Sequence, residues 1–135
     1  MIEGLGVGID IIEVSRFKKK KYEENRNFYK KIFVNSEINY CLKFKNSAER
    51  FAGKFAIKEA VIKSIPEKIG LRDIEIMYVN RKPRIRLKKS LDKKYDFIVS
   101  VSHETEFAVG IVIAKKYDRK ITLRQDRFFS FFTQS

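Results

Sequence analysis

The stretch NSAERFAGKFAIKEAVIKS, residues 46–64, decides how the rest of the chain is arranged. Laid on a helix at about 100° per residue, Ala48, Phe51, Ala52, Phe55, Ala56 and Ile62 fall in one arc, with Glu59 near its middle. Asn46 and Glu49 have the spacing of a capping box, and Pro66 ends the run. A carboxylate inside an apolar arc is partly desolvated, which is costly unless a cation or hydrogen-bond donors compensate. Lys54, Lys58 and Lys63 flank it, and Lys63 lies one turn after it. Two readings stay open on this helix alone. Glu59 either pairs with Lys63 at the surface of a helix docked slightly off this register, or it is a ligand for a hard metal ion.

Upstream, LGVGIDII at 5–12 alternates as a strand does. Leu5, Val7, Ile9 and Ile11 point one way, and Gly6, Gly8, Asp10 and Ile12 the other. Two glycines on one face weaken a strand and mark a close approach, here beside Asp10. The plainer alternative is a glycine face under a helix, with Asp10 ending the strand. GVGID is not a dinucleotide fingerprint, because it lacks the third glycine and the helix that should follow at once.

Between these two stretches the pattern turns helical and charged, anchored by Val14, Phe17, Phe28, Ile32 and Phe33. Lys18 to Lys21 form a basic run, a solvated face that also suits an acidic protein surface. Asn35-Ser36-Glu37 reads as a loop ending in a cap for a short helix carrying Ile38 and Leu42. Downstream, Gly70 opens a strand over 74–79, the turn is Asn80-Arg81-Lys82-Pro83, and 84–87 return as a hairpin. A second hairpin pairs 97–102 with 107–114. In it Phe97, Val99, Val101 and His103 share a face, while Phe107, Val109, Ile111 and Ile113 form a second apolar face. His103 is the sole histidine, and Ser100, Ser102 and Thr105 around it can donate to phosphate oxygens.

At 135 residues the chain reads as one domain, and 44% hydrophobic content makes it globular. Thirty Lys and Arg against 17 Asp and Glu give a net charge of +13, which calls for an anionic partner without choosing it. Cys41, the only cysteine, excludes an intrachain disulfide and suits a reducing cytoplasm; it reads as a half-buried thiol, not a nucleophile. No window approaches the roughly 20 apolar residues of a membrane span. Glu3, Asp10 and Glu13 stand where an export signal would be basic and then apolar, so none is expected. The tail 115–135 turns basic and carries Phe128, Phe129, Phe131 and Phe132, which are expected to pack on this protomer or a neighbour.

Asp10 on a glycine face, Glu59 in an apolar stripe and His103 at a strand end each ask for an explanation. Two carboxylates with little nitrogen or sulfur ligation suit Mg²⁺, which keeps waters and completes its octahedron with substrate phosphate. One His and one Cys disfavour zinc. The basic groups around Glu59 would hold the rest of a polyphosphate, giving a phosphate-handling site without a P-loop.

GVGIDIIEVSRF at 6–17, FAGKFAIKEAVIKS at 51–64 and VSVSHETEFAVGIVIA at 99–114 resemble the holo-[acyl-carrier-protein] synthases, the short-chain 4′-phosphopantetheinyl transferases. The resemblance covers about residues 2–114, so 1–114 is expected to be one transferase domain and 115–135 an extension. It implies an α+β fold, a small antiparallel sheet packed with a long central helix, assembled as a homotrimer with active sites between protomers. It implies transfer of the phosphopantetheine arm of coenzyme A to a serine of an acidic apo acyl carrier protein in fatty acid biosynthesis, leaving adenosine 3′,5′-bisphosphate.

By residue, the resemblance makes Asp10 and Glu59 the Mg²⁺ ligands and sets Lys63 and His103 near the coenzyme A phosphates. Lys58 adds positive charge there, and Lys82-Pro83 forms the turn beside the nucleotide. Arg16 and Lys54 contact the carrier. A metal-held water oriented by Asp10 or Glu59 is the first choice of base, with His103 the alternative. The chain departs from the family pattern at 65–70, which is poor in glycine, and at Arg81, where glycine is usual. A small basic nucleic-acid-binding domain is the reading from another class, resting on charge alone. No helix-turn-helix, zinc or RNP signature supports it. A family fold without activity is a third, disfavoured by the intact carboxylates.

Overall fold

The computed structural model describes residues 2–117 of the chain. Its centre is the stretch 46–64, whose helix α4 runs Ser47–Ser64. Asn46 is the N-cap, its amide bonded to the Glu49 carboxylate rather than to a backbone N–H. The helix ends just before Ile65 and Pro66, which cannot continue it. Ahead of it come β1 (Leu5–Glu13), three short helices, α1 (Ser15–Lys18), α2 (Arg26–Lys30) and α3 (Asn35–Leu42), and a 3₁₀ turn at Tyr22–Glu24. After it come the hairpin β2 (Ile74–Val79) and β3 (Lys82–Leu87), then β4 (Tyr95–His103) and β5 (Phe107–Lys116). The fold is α+β, as expected.

β1, β5 and β4 form an antiparallel sheet in that order, and β2–β3 stands apart as a two-stranded ribbon. α4 lies across the sheet on the face of Gly8, Ile12, Ala108, Gly110, Val112 and Ala114, all buried. The approach is closer than side chains would allow. A Cβ on Gly8 would sit 1.8 Å from the Ala60 carbonyl oxygen, and one on Gly110 2.8 Å from the backbone of Ala56 and Ile57. The close approach expected at the glycines is therefore α4 itself. Asp10 does not end its strand; it pairs with Gly110 in mid-strand and faces the helix side.

The larger apolar faces of β1 and β5 turn away from the helix, which lies on the glycine face, as the plainer reading of β1 had it. Val7, Ile9 and Ile11 are 64, 58 and 64% exposed, and Phe107, Ile111 and Ile113 join them on the uncovered side. Small residues carry the helix contact because only they permit it, which leaves the larger ones outside.

Two cores flank α4. On one side Phe17 lies within 6.1 Å of Phe28 and Phe51, and Tyr29, Phe33 and Phe55 complete an aromatic cluster. On the other, Ile57, Val61, Ile74, Ile76 and Leu87 join the helix to the β2–β3 ribbon. Cys41 is fully buried rather than half-buried, and burial pushes its thiol up to about 12, so it is no nucleophile. The β2–β3 turn is shorter than expected. Only Asn80 and Arg81 form it, at φ +51° and +66°, the geometry of a two-residue hairpin turn. Arg81 holds a left-handed conformation that usually falls to glycine, at about 1–2 kcal/mol.

β5 runs two residues past Ala114, and 118–135, including Phe128, Phe129, Phe131 and Phe132, lie outside the described residues. Gly8→Ala should lower unfolding stability by about 3 kcal/mol or more, because backbone rather than a flexible side chain blocks the new methyl. Urea unfolding at unchanged slope reads this directly. A loss under about 1 kcal/mol would contradict the tight seating of α4.

Candidate active site

The direction of α4 over the sheet fixes what meets at its end. A Cβ on Gly53 would touch Val101 and His103 of β4, Gly110 of β5 lies under Ala56, and Gly8 of β1 lies under Ala60. The helix thus crosses β4, β5 and β1 in turn, and its last turn arrives beside Asp10. There the Lys63 ammonium donates to Asp10 Oδ1 at 3.2 Å and to the Ile9 carbonyl at 3.0 Å. The Asp10 side chain is 17% exposed and that of Lys63 53%. Glu59, half-buried, stands one turn before Lys63 on the same side of the helix. Lys63 turns to Asp10 instead of lying along Glu59, so the simple surface pair gives way to a junction of strand and helix.

The donor set at this junction is oxygen only. Among the described residues, no group of three or more His, Cys, Asp or Glu side chains could hold a metal. At this junction Asp10 and Glu59 bring two carboxylates from two elements, too few for a closed zinc site. Two carboxylates fit a hard cation that keeps waters and takes substrate phosphate as further ligands. On that chemistry the residues fit Mg²⁺.

A cleft of about 830 Å³ opens at the other edge of the sheet, between the β2–β3 ribbon and β4. Arg81, Lys82, Pro83 and Arg84 line it from the ribbon, Ser100, Ser102 and His103 from β4, and Arg50 from the first turn of α4. Among the described residues that line it, Asp92 and Asp96 are the only acids, so cations dominate. Asp10 sits on β1, with β5 between it and the cleft. Two strand spacings separate them, about 10 Å. The residues singled out in the sequence thus form two groups within one chain: Asp10, Glu59 and Lys63 at the β1 edge, and Lys82, Pro83 and His103 in the cleft.

Two lysines leave the surface roles expected of them. Lys58 is fully buried, and its ammonium meets Glu37 Oε1 at 2.6 Å, the Ile32 carbonyl at 2.9 Å and the Leu71 carbonyl at 3.0 Å. All three of its donors are spent inside the fold, so none is left for a coenzyme A phosphate. Lys54 is 1% exposed, donates to the Ile76 carbonyl at 2.6 Å and lies under the stacked rings of Tyr40 and Tyr78. It cannot reach a docked carrier. Burial pulls both lysines below their ordinary value, and for Lys58 the Glu37 carboxylate pulls the other way. Arg16 is exposed, its guanidinium 5.2 Å from the centre of the Phe55 ring, and stays available to a partner.

Sequence spacing marks Glu37 only as part of a helix cap and Arg81 only as a departure in the turn, and it singles out neither Arg50 nor Arg84. One signal was present. Arg50, Lys54 and Lys58 recur every fourth residue, a stripe of cations down one face of α4. An amphipathic reading assigns such a stripe to solvent, whereas the α3 and β2 side covers it.

The family model of the 4′-phosphopantetheinyl transferase superfamily matches residues 6–112. A holo-[acyl-carrier-protein] synthase of Chlamydia felis is 36% identical over 115 residues, 80% of this chain and 94% of that relative. A solved holo-(acyl-carrier-protein) synthase from Bacillus anthracis, in complex with CoA (3′,5′-ADP), aligns with a TM-score of 0.70 at 31% identity, over 83% of this chain and 96% of the other. The Helicobacter pylori holo-[acyl-carrier-protein] synthase in complex with coenzyme A gives 0.69 at 31% identity, over 81% and 99%. With the helix, the glycine-faced strand and the hairpin all in place, the chain belongs to the holo-[acyl-carrier-protein] synthase family of the 4′-phosphopantetheinyl transferases.

Proposed function

We propose that this enzyme carries out its family's reaction with Mg²⁺ held by Asp10 and Glu59. It transfers the 4′-phosphopantetheine arm of coenzyme A to a serine of apo acyl carrier protein and releases adenosine 3′,5′-bisphosphate. The reading rests on one observation above the rest, Lys63 seated on Asp10 where the last turn of α4 meets β1. The nucleic-acid-binding alternative has no support among the relatives.

In the reaction the serine oxygen bonds to the pantetheine-side phosphorus of the pyrophosphate, and the bond from that phosphorus to the bridging oxygen breaks. Phosphoryl transfer of this kind needs positioning and charge stabilisation more than covalent help from the protein. Mg²⁺, when bound, supplies positive charge against the pyrophosphate oxygens and the leaving bisphosphate. Asp10 and Glu59 would hold it from opposite elements. Lys63, half in solvent on a flexible stem, can swing from Asp10 to a phosphate oxygen and stay positive through the step. Lys82, Pro83 and His103 hold the nucleotide end in the cleft. The serine proton passes to a water oriented by Asp10 or Glu59, with His103 as the alternative acceptor. Arg16, exposed on α1, offers an ion pair to the acidic carrier.

The two halves of the site lie on opposite edges of one sheet, and the outer face of that sheet is apolar and exposed at Val7, Ile9, Ile11, Ile111 and Ile113. We take copies of this chain to cover that face as a homotrimer, setting the acidic half of one protomer against the basic cleft of the next. Exposed apolar surface on this scale is the usual mark of a protein interface. No helix among the described residues is long and apolar enough to cross a membrane. The shielded thiol of Cys41 is compatible with a reducing compartment, and we place the enzyme in the cytoplasm.

Mass spectrometry of an apo carrier incubated with coenzyme A, Mg²⁺ and the enzyme tests the first claim. Asp10→Ala and Glu59→Ala should each lower the rate of phosphopantetheine addition by about a hundredfold or more with the fold retained. Rates like the wild type's in either variant would defeat the metal assignment. Sedimentation tests the second. The wild type should run as a trimer, and Val7→Asp, placed on the open apolar face, should run as a monomer without activity. An active monomeric wild type would contradict the shared site.

A further inference from the structure

One wall of the cleft is held by no sheet ladder. Among the described residues β2 and β3 pair only with each other, and neither joins β4 across the opening. In an antiparallel strand the N–H and C=O of one residue point to the same side. At Ile76, in the middle of β2, both are taken from outside the ribbon. Its N–H donates to Glu37 Oε2 at 2.8 Å, and its carbonyl receives the Lys54 ammonium at 2.6 Å. Glu37 comes from α3 and Lys54 from α4, so two side chains answer the edge where a further strand would lie.

Both side chains are themselves held. Glu37 Oε1 takes the Val34 N–H and the Lys58 ammonium. The Lys54 nitrogen lies 4.7 Å from the ring centre of Tyr40 and 4.8 Å from that of Tyr78. Those rings stack at 5.1 Å with 7° between their planes, and Tyr78 lines the cleft. An apolar side chain of the same length would fill this space without the cost of burying a charge. What the ammonium adds is direction. Apolar contact lets a strand slide, whereas a hydrogen bond to one carbonyl fixes where the backbone lies. Beyond Ile76 the ribbon carries Tyr78 and then Arg81 to Arg84, all of them cleft wall.

We propose that Lys54, with Glu37 as its counterpart, is a positioning residue for the donor substrate: by fixing β2 at Ile76 it sets the width of the cleft, without touching what binds there. The inference rests on the reading of the cleft as the site of the nucleotide end of coenzyme A.

Lys54→Met keeps the length and apolar stem and removes the ammonium. In the full chain it should raise KM for coenzyme A about tenfold or more and leave kcat within about twofold, because the groups at the β1 edge keep their places. Calorimetry with adenosine 3′,5′-bisphosphate should show a loss of affinity of about the same size. Amide hydrogen exchange should quicken about tenfold or more over β2 and stay unchanged over β1 and β5. If melting curves show that Lys54→Met does not fold, Tyr40→Leu carries the test. It removes the ring stacked on Tyr78 from an element outside the cleft, and should raise KM at least about threefold at unchanged kcat.

A KM and a bisphosphate affinity within about twofold of the wild type's in Lys54→Met would overturn the proposal. So would a fall in kcat as large as the fall in kcat/KM, or an exchange rate that quickens throughout the fold, since Lys54 would then only stabilise the chain. A wild type that binds the bisphosphate yet modifies no carrier would sink the transferase reading. Weaker bisphosphate binding in Lys54→Met would still leave the positioning role standing.

Discussion

Where α4 meets the sheet, backbone touches backbone, because Gly8 and Gly110 have no side chains to hold the helix away. That contact sets how far the helix sits from β1, and so whether Lys63 reaches Asp10 and where Glu59 stands relative to both. A helix resting on ordinary side chains would lie farther off, and its carboxylate and the strand's would stand farther apart. The same constraint dictates which residues of β1 and β5 can face inward. Only glycine, alanine and a few small apolar residues fit beneath the helix. Valine and isoleucine are left on the outside, where they wait for another surface.

The other side of α4 is built on polar chemistry. Glu37 Oε1 receives the Val34 N–H at 2.9 Å as well as the Lys58 ammonium, and Oε2 receives the Ile76 N–H at 2.8 Å. One carboxylate therefore joins the start of α3, the middle of α4 and β2. Such a buried pair is worth little against an apolar replacement, yet losing one partner strands the other charge. Lys54 extends the network by holding the Ile76 carbonyl beneath Tyr78, whose ring lines the cleft. The ribbon that presents Arg81 to Arg84 is thus fastened to the same helix that presents Glu59 and Lys63. The two halves of the proposed site share one support.

The strands, both hairpins and α4 were legible in the sequence because their period and turn residues agree with the final packing. Asp10 was legible for the same reason. Its glycine neighbours announce a close approach, although the approaching object is the helix rather than a ligand. The lysines were not. Lys54 and Lys58 read as cations turned to a carrier and to a phosphate, since nothing in sequence spacing reveals that Glu37 and two backbone carbonyls, from distant segments, will satisfy Lys58 in the interior. Sequence left open which face of β5 meets the helix. Phe107, Ile111 and Ile113 look like core by composition, and only the glycines opposite explain why the core takes the smaller face.

A crystal structure of the enzyme with coenzyme A and Mn²⁺ in place of Mg²⁺, read by the anomalous signal of the ion, addresses the central claim most directly. The account predicts one ion with oxygens of Asp10, Glu59 and the diphosphate as ligands, and the nucleotide in the basic cleft of a neighbouring protomer. An ion bound elsewhere, or a diphosphate lying away from these two carboxylates, would contradict it.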